Sequence, residues 1–135
     1  MSDITDIKAA KEAGMYVLAD TDYMLMFDLD TEEAVDRYDK FNHLVDNYVT
    51  VADNFEWKSK SGNIHALYIL EEPVDWPMRH WLQALCGSDL NREVACAIRG
   101  ANDRGNIQRL FIPKEAVESN SRLNNFLKEL DNGKY

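Results

Sequence analysis

The stretch Tyr23-Met24-Leu25-Met26-Phe27-Asp28-Leu29-Asp30 constrains this chain more than any other, because an apolar run ends there in two carboxylates one residue apart. A short apolar run with aromatic support reads as a buried strand. Side chains on a strand alternate between faces, so Asp28 and Asp30 share one face, with Met24 and Met26 behind them. Two carboxylates at the end of a core strand repel each other and resist desolvation unless a cation or a donor cluster offsets them. The pair is therefore a candidate Mg²⁺ or Mn²⁺ site. The plainer alternative is a strand running out into a turn, with Asp30-Thr31-Glu32-Glu33 capping the next helix.

The 135 residues suffice for one domain with a single core. A hydrophobic content of 45%, with three Trp and six Tyr, indicates a folded globule. No apolar run approaches the roughly 20 residues that span a bilayer. The start Met1-Ser2-Asp3-Ile4-Thr5-Asp6 has no basic signal-peptide character. The expectation is a cytoplasmic protein with no membrane segment. Cys86 and Cys96, without partner cysteines or clustered His, read as buried free thiols.

A net charge of −9 opposes general affinity for a phosphate backbone. The charge is unevenly spread. Residues 1–56 carry 14 acids against four Lys/Arg, whereas residues 57–112 carry six acids against seven Lys/Arg. An anionic ligand would be met in that middle part, which holds Lys58, Lys60, Arg79, Arg92, Arg99, Arg104 and Arg109.

Taken in order, residues 3–14 predict a short helix stopped by Gly14, with Ile4, Ile7, Ala10 and Ala13 on one stripe that would pack over Met24 and Met26. Met15-Tyr16-Val17-Leu18 reads as a short strand or an extended lead-in, and Asp20-Thr21-Asp22 turns the chain into the first core strand. A helix capped by Thr31 or Asp30 follows through about Asn47, then a strand over 49–60, the turn Ser61-Gly62-Asn63, and a strand over 64–70. Helical patterns recur from Pro77 and over 90–99, with Gly87-Ser88-Asp89 between them. A last strand, Ile107–Ile112, and a C-terminal amphipathic helix, Ser121–Leu130, complete the chain.

Strand, helix, strand, strand, helix, strand is the split βαβ pattern of the ferredoxin-like or RRM-like fold. The expectation is an α+β domain with a βαββαβ core over 23–112, and extra helical segments at 1–22 and 113–135. Its four-stranded antiparallel sheet would have the order 4-1-3-2, with both long helices on one face and the other face left for extra elements or a ligand. In that order the first and third strands are antiparallel neighbours. Asp28 and Asp30, ending one, would then lie near His65, beginning the other. Whether His65 faces the carboxylates or the helices is not decided by alternation, because both faces of its strand are apolar. Lys58, Ser59, Lys60 and Ser61 add phosphate-binding groups at the same end.

Asp28-Leu29-Asp30 after an apolar strand, followed by Ser61-Gly62-Asn63-Ile64-His65 opening a later one, resembles the archaeo-eukaryotic primase (primase-polymerase) superfamily in its small viral and plasmid members. Leu82-Gln83-Ala84-Leu85-Cys86-Gly87-Ser88-Asp89 is similar to the helix and turn that follow. The resemblance covers residues 23–112. It implies an RRM-like catalytic core using divalent ions in nucleotidyl transfer, with a nucleoside triphosphate and DNA as partners. Asp28 and Asp30 would match the metal carboxylates and His65 the histidine that meets the incoming triphosphate, with Lys58, Lys60, Ser61 and Arg109 as further phosphate contacts. The family's third acidic residue has no counterpart in Ile107–Ile112, and only Asp89 or Asp103 could stand in for it.

Two other classes compete. The acidic first part could make the chain a small non-enzymatic accessory or inhibitor protein, which binds a basic surface of a host or replication protein through residues such as Asp36, Asp39 and Asp46. An RRM-like sheet could also bind single-stranded nucleic acid if Phe27 and Tyr68 lay on its open face, although Phe27 is expected to face the helices.

Overall fold

The computed structural model describes residues 7–59, 62–87 and 109–133, with Ile7 and Arg109 described by their backbones alone. Helix α1 (Ile7–Glu12) ends where Gly14 takes φ +78°. There Gly14 N–H donates to Lys11 O and Met15 N–H to Ala10 O, the paired closure that a left-handed residue makes possible. The lead-in is a true strand, β1 (Tyr16–Ala19), and the apolar run is β2 (Met24–Leu29).

Helix α2 (Glu32–Phe41) is capped by Thr31, whose hydroxyl accepts from Ala34 N–H at 3.0 Å, so neither Asp28 nor Asp30 serves as the cap. The helical pattern tightens into a 3₁₀ segment over Asn42–Asn47. Strands β3 (Val51–Lys58) and β4 (Ile64–Leu70) form a hairpin, and α3 (Trp76–Leu85) starts at an Asp75 cap with Pro77 in its first turn. Strand β5 (Arg109–Ile112) precedes a short α4 (Lys114–Glu118) and α5 (Ser121–Asp131) capped by Asn120.

The chain is α+β with antiparallel sheets, but the expected four-stranded sheet is replaced by two smaller ones. Strands β2, β4 and β3 lie in that order, which reproduces the 1-3-2 part of the expected sheet. The fourth strand, β5, pairs instead with β1, Tyr16 opposite Ile112 and Ala19 opposite Arg109. A physical reason lies at the outer edge of β2. Met26 N–H donates to Oε1 of fully buried Gln83 on α3 at 2.8 Å, so a side chain takes the edge donor that a fourth strand would have used.

The three-stranded sheet is covered on both sides, because its strands are apolar on both faces. One core gathers Leu25, Phe27, Leu29, Ala66, Tyr68 and Leu70 with Tyr38, Val45, Leu82 and Cys86 of the α2, 3₁₀ and α3 layer. The other gathers Met24, Met26, Phe55, Trp57, Leu67 and Ile69 with Leu18 of β1, Leu110 and Ile112 of β5, and Leu123, Phe126 and Leu127 of α5. The face left for extra elements or a ligand is thus filled by the β1–β5 ribbon and α5, which take the place over Met24 and Met26 expected of α1. Arg122 of α5 holds this layer to β3, pairing with Asp53 and lying 5.3 Å from the centre of the Phe55 ring.

Candidate functional site

The β2–β4 register places Asp28 directly opposite His65 and Leu29 opposite Ile64. Across the β3–β4 ladder Trp57 stands opposite His65. Three consecutive strands therefore present Asp28, His65 and Trp57 at one level. All three lie on the face of Met24, Met26, Leu67 and Ile69, which settles the orientation of His65 that the sequence left open. His65 Nε2 lies 3.6 Å from Asp28 Oδ1, and the imidazole stacks on Trp57 with ring centres 6.0 Å apart and planes 28° from parallel.

Solvent access falls off across this row. The Asp28 side chain is 26% exposed and that of His65 10%, while Trp57 retains 7%. The imidazole is thus not at an open surface, as the unfilled sheet face would have made it. The indole Nε1 of Trp57 is buried and has no hydrogen-bond partner among the described residues.

Asp30 stands one residue beyond β2, exposed, and lines a cavity of about 340 Å³ between the first turn of α2 and the β3–β4 hairpin tip. Thr31, Glu32, Asp36, Gly62 and Asn63 contribute to it. Asn63 N–H donates to Ser59 Oγ at 3.2 Å and Ser59 N–H to Asn63 O at 2.8 Å, which fixes the base of the hairpin turn. The cavity volume falls within the range of about 300–1,000 Å³ typical of small-molecule sites.

The other expected site residues are less well gathered. Lys58 is exposed and pairs with Ile64, so alternation turns it to the face opposite that of Asp28 and His65. Lys60 and Ser61 lie outside the described residues, as do the side chain of Arg109 and the stand-in acids Asp89 and Asp103. Arg79 is not available to an anionic ligand, because it is buried with Nη1 2.7 Å from Asp20 Oδ2 and Nη2 3.2 Å from Asp22 Oδ1. Its Nε–H also donates to Val74 O at 3.0 Å. The presence of Asp20 and Asp22 ahead of an arginine-bearing helix was the only sequence signal of this pair.

Phe27 and Tyr68, the rings a nucleic-acid-binding sheet would have needed on its open face, are packed with Tyr38 under the helices. Their ring centres are 5.1 Å apart, and the Tyr38 and Tyr68 hydroxyls meet at 2.9 Å. Burial pushes both phenols above the ordinary tyrosine range. Cys86 is the buried thiol expected, pushed up to about 11 by the same cause. Cys96 lies outside the described residues.

Among the described residues no group of three or more His, Cys, Asp or Glu converges as a self-sufficient metal centre. Asp28 and Asp30 supply at most two carboxylates at this end of the sheet. That number suits a Mg²⁺-like ion whose remaining ligands are water and substrate phosphate, and falls short of an all-protein cage. No described helix is long and apolar enough to cross a membrane. Compared with protein-family models, curated proteins and solved structures, the chain matches none.

Proposed function

We propose that this chain binds a divalent-cation complex of a nucleoside triphosphate at the Asp28–His65 end of its sheet. It would do so in the manner of a small primase-polymerase-like protein of viral or plasmid replication. The observation that carries the reading is the direct cross-strand pairing of Asp28 with His65, and the cavity lined by Asp30 lies at the same end of the sheet, walled by Leu29 and Ile64 of the opposite face. In this reading β2, α2, β3, β4 and α3 are the RRM-like core, and its last strand has been diverted to β1.

The electrostatics favour a cation-loaded ligand over a bare phosphate. Asp30, Glu32 and Asp36 line one small cavity, and three carboxylates repel an uncompensated polyphosphate. A divalent ion already held by the triphosphate reverses that sign, and Asp28 and Asp30 would complete its coordination. His65, beside Asp28, would then offer a ring N–H to a phosphate oxygen. The ion belongs to the ligand in this account.

Calorimetric titration with Mn²⁺ and a nucleoside triphosphate together, and with each alone, tests the proposal. Binding by the wild type only when both are present, and its loss in Asp28→Asn/Asp30→Asn, is the expected pattern. No heat from the wild type, or equal heat from the double variant, ends it.

A further inference from the structure

On the helical layer Tyr48 and Trp81 are 54% and 50% exposed, although their rings touch edge-to-face with centres 5.4 Å apart. Met78, one turn before Trp81 on α3, is 38% exposed and extends the apolar strip. Half-exposed aromatics that are already held against each other lose little side-chain freedom on binding, which is the condition of a preformed anchor. The chain segments that lead into the strip carry formal charges of one sign, while Arg37 of α2 stands at the far end of α3, beside Gly87. Segments 42–50 and 71–78, which carry Tyr48 and Met78 and lead into α3, contain Asp46, Glu71, Glu72 and Asp75 and no Lys or Arg. Glu71 N–H donates to Thr50 O at 3.0 Å and Met78 N–H to Asp75 Oδ1 at 3.3 Å, which ties these acidic segments to the strip. Arg79, the nearest arginine on α3, is consumed by Asp20 and Asp22 and faces away from solvent.

We infer that the Tyr48–Trp81–Met78 strip docks a short, Lys/Arg-rich amphipathic segment of a partner protein, its apolar side on the two rings and its cations on the flanking carboxylates. Three exposed apolar side chains are too few for a standard globular interface of about 800 Å² per partner, whereas they match the few anchors of a single segment. The acidic rim repels an acidic segment and speeds the approach of a basic one. This inference does not rest on the nucleotide reading, since the strip lies on the helical layer, away from Asp28 and His65.

The full chain is titrated by calorimetry with a Lys/Leu amphipathic peptide and with its Glu/Leu counterpart of equal length. The Lys/Leu peptide is expected to bind, at least about tenfold more weakly to Trp81→Ala and to Tyr48→Ala and severalfold more weakly to Glu71→Gln/Glu72→Gln. All the altered side chains are exposed, and circular dichroism confirms that each variant is folded. The inference is overturned if the peptide fails to bind the wild type, if Trp81→Ala binds it equally, or if the Glu/Leu peptide binds as well. Sedimentation showing a Trp81-dependent dimer also overturns it, because the occupant would then be a second copy of this chain.

Discussion

Asp28 and His65 are register partners across β2 and β4, with Oδ1 and Nε2 3.6 Å apart and the carboxylate the more exposed of the two. Removing either side chain of a part-buried cross-strand pair should leave its partner weaker by the same amount. A double-mutant cycle of Asp28→Asn and His65→Gln, read by urea unfolding, should give a coupling of about 0.5–1 kcal/mol. Additive effects of the two substitutions would show that the side chains do not meet.

The buried pair of Arg79 and Asp20 should behave quite differently. Both side chains are at least nine-tenths buried, whereas Asp22, the arginine's other partner, is 63% exposed. Removing one member of a buried pair leaves the other charged and desolvated. Arg79→Met should therefore cost about 3–5 kcal/mol, and Asp22→Asn less than about 1 kcal/mol. Denaturation in low and high salt checks the assignment, because added salt should weaken the exposed Arg122–Asp53 contact and leave Arg79–Asp20 nearly untouched. An Arg79→Met protein as stable as the wild type would refute the burial.

The strands and long helices were legible because their apolar periods are unmixed. Ile64–Leu70 was read to the residue, and Thr31 was one of two named caps. The proximity of Asp28 and His65 was legible too, since it needs only the antiparallel pairing of two strands identified from sequence. The partner of the last strand was not. Whether Arg109–Ile112 pairs with β2 or β1 turns on one side-chain amide, Gln83, reaching the outer edge of β2. A glutamine in a helical pattern does not announce that role. Nor does composition tell that Leu123, Phe126 and Leu127 lie over the sheet face beside Trp57, which is why His65 was expected nearer to solvent.

The tyrosines give the chain a defined alkaline limit. Tyr16 is pushed up to about 12, first by burial and then by Asp131, whose Oδ1 accepts a hydrogen bond from its hydroxyl at 2.7 Å. Tyr38 and Tyr68 are also raised, with burial the leading cause in each. In the unfolded chain a phenol ionises near about pH 10. A raised folded-state value means that the unfolded state loses its protons first. Stability from these groups is therefore intact below about pH 10 and falls as pH rises from there toward 12. Tyr16→Phe removes one such group and should make that fall shallower, as read by urea midpoints from about pH 9 to 12. An unchanged alkaline slope in Tyr16→Phe would place its phenol in an unperturbed setting.

Two glycines with nearly the same backbone separate conformational strain from crowding. Gly62 has φ +90° with nothing within 4 Å of a built Cβ, whereas Gly87 has φ +93° and its Cβ would lie 2.5 Å from the carbonyl oxygen of Ala34. A side chain at positive φ costs about 1–2 kcal/mol at either place. At Gly87 it would also force apart the end of α3 and the first turn of α2, because the obstructing atom is backbone and cannot rotate away. Gly62→Ala should then destabilise by about 1 kcal/mol and Gly87→Ala by about 1–3 kcal/mol more. The difference between the two urea midpoints isolates the close approach of the helices from the backbone strain they share. If Gly87→Ala proved no worse than Gly62→Ala, the two helices would not be in contact there in solution, and α3 could shift relative to α2 without hindrance from that carbonyl.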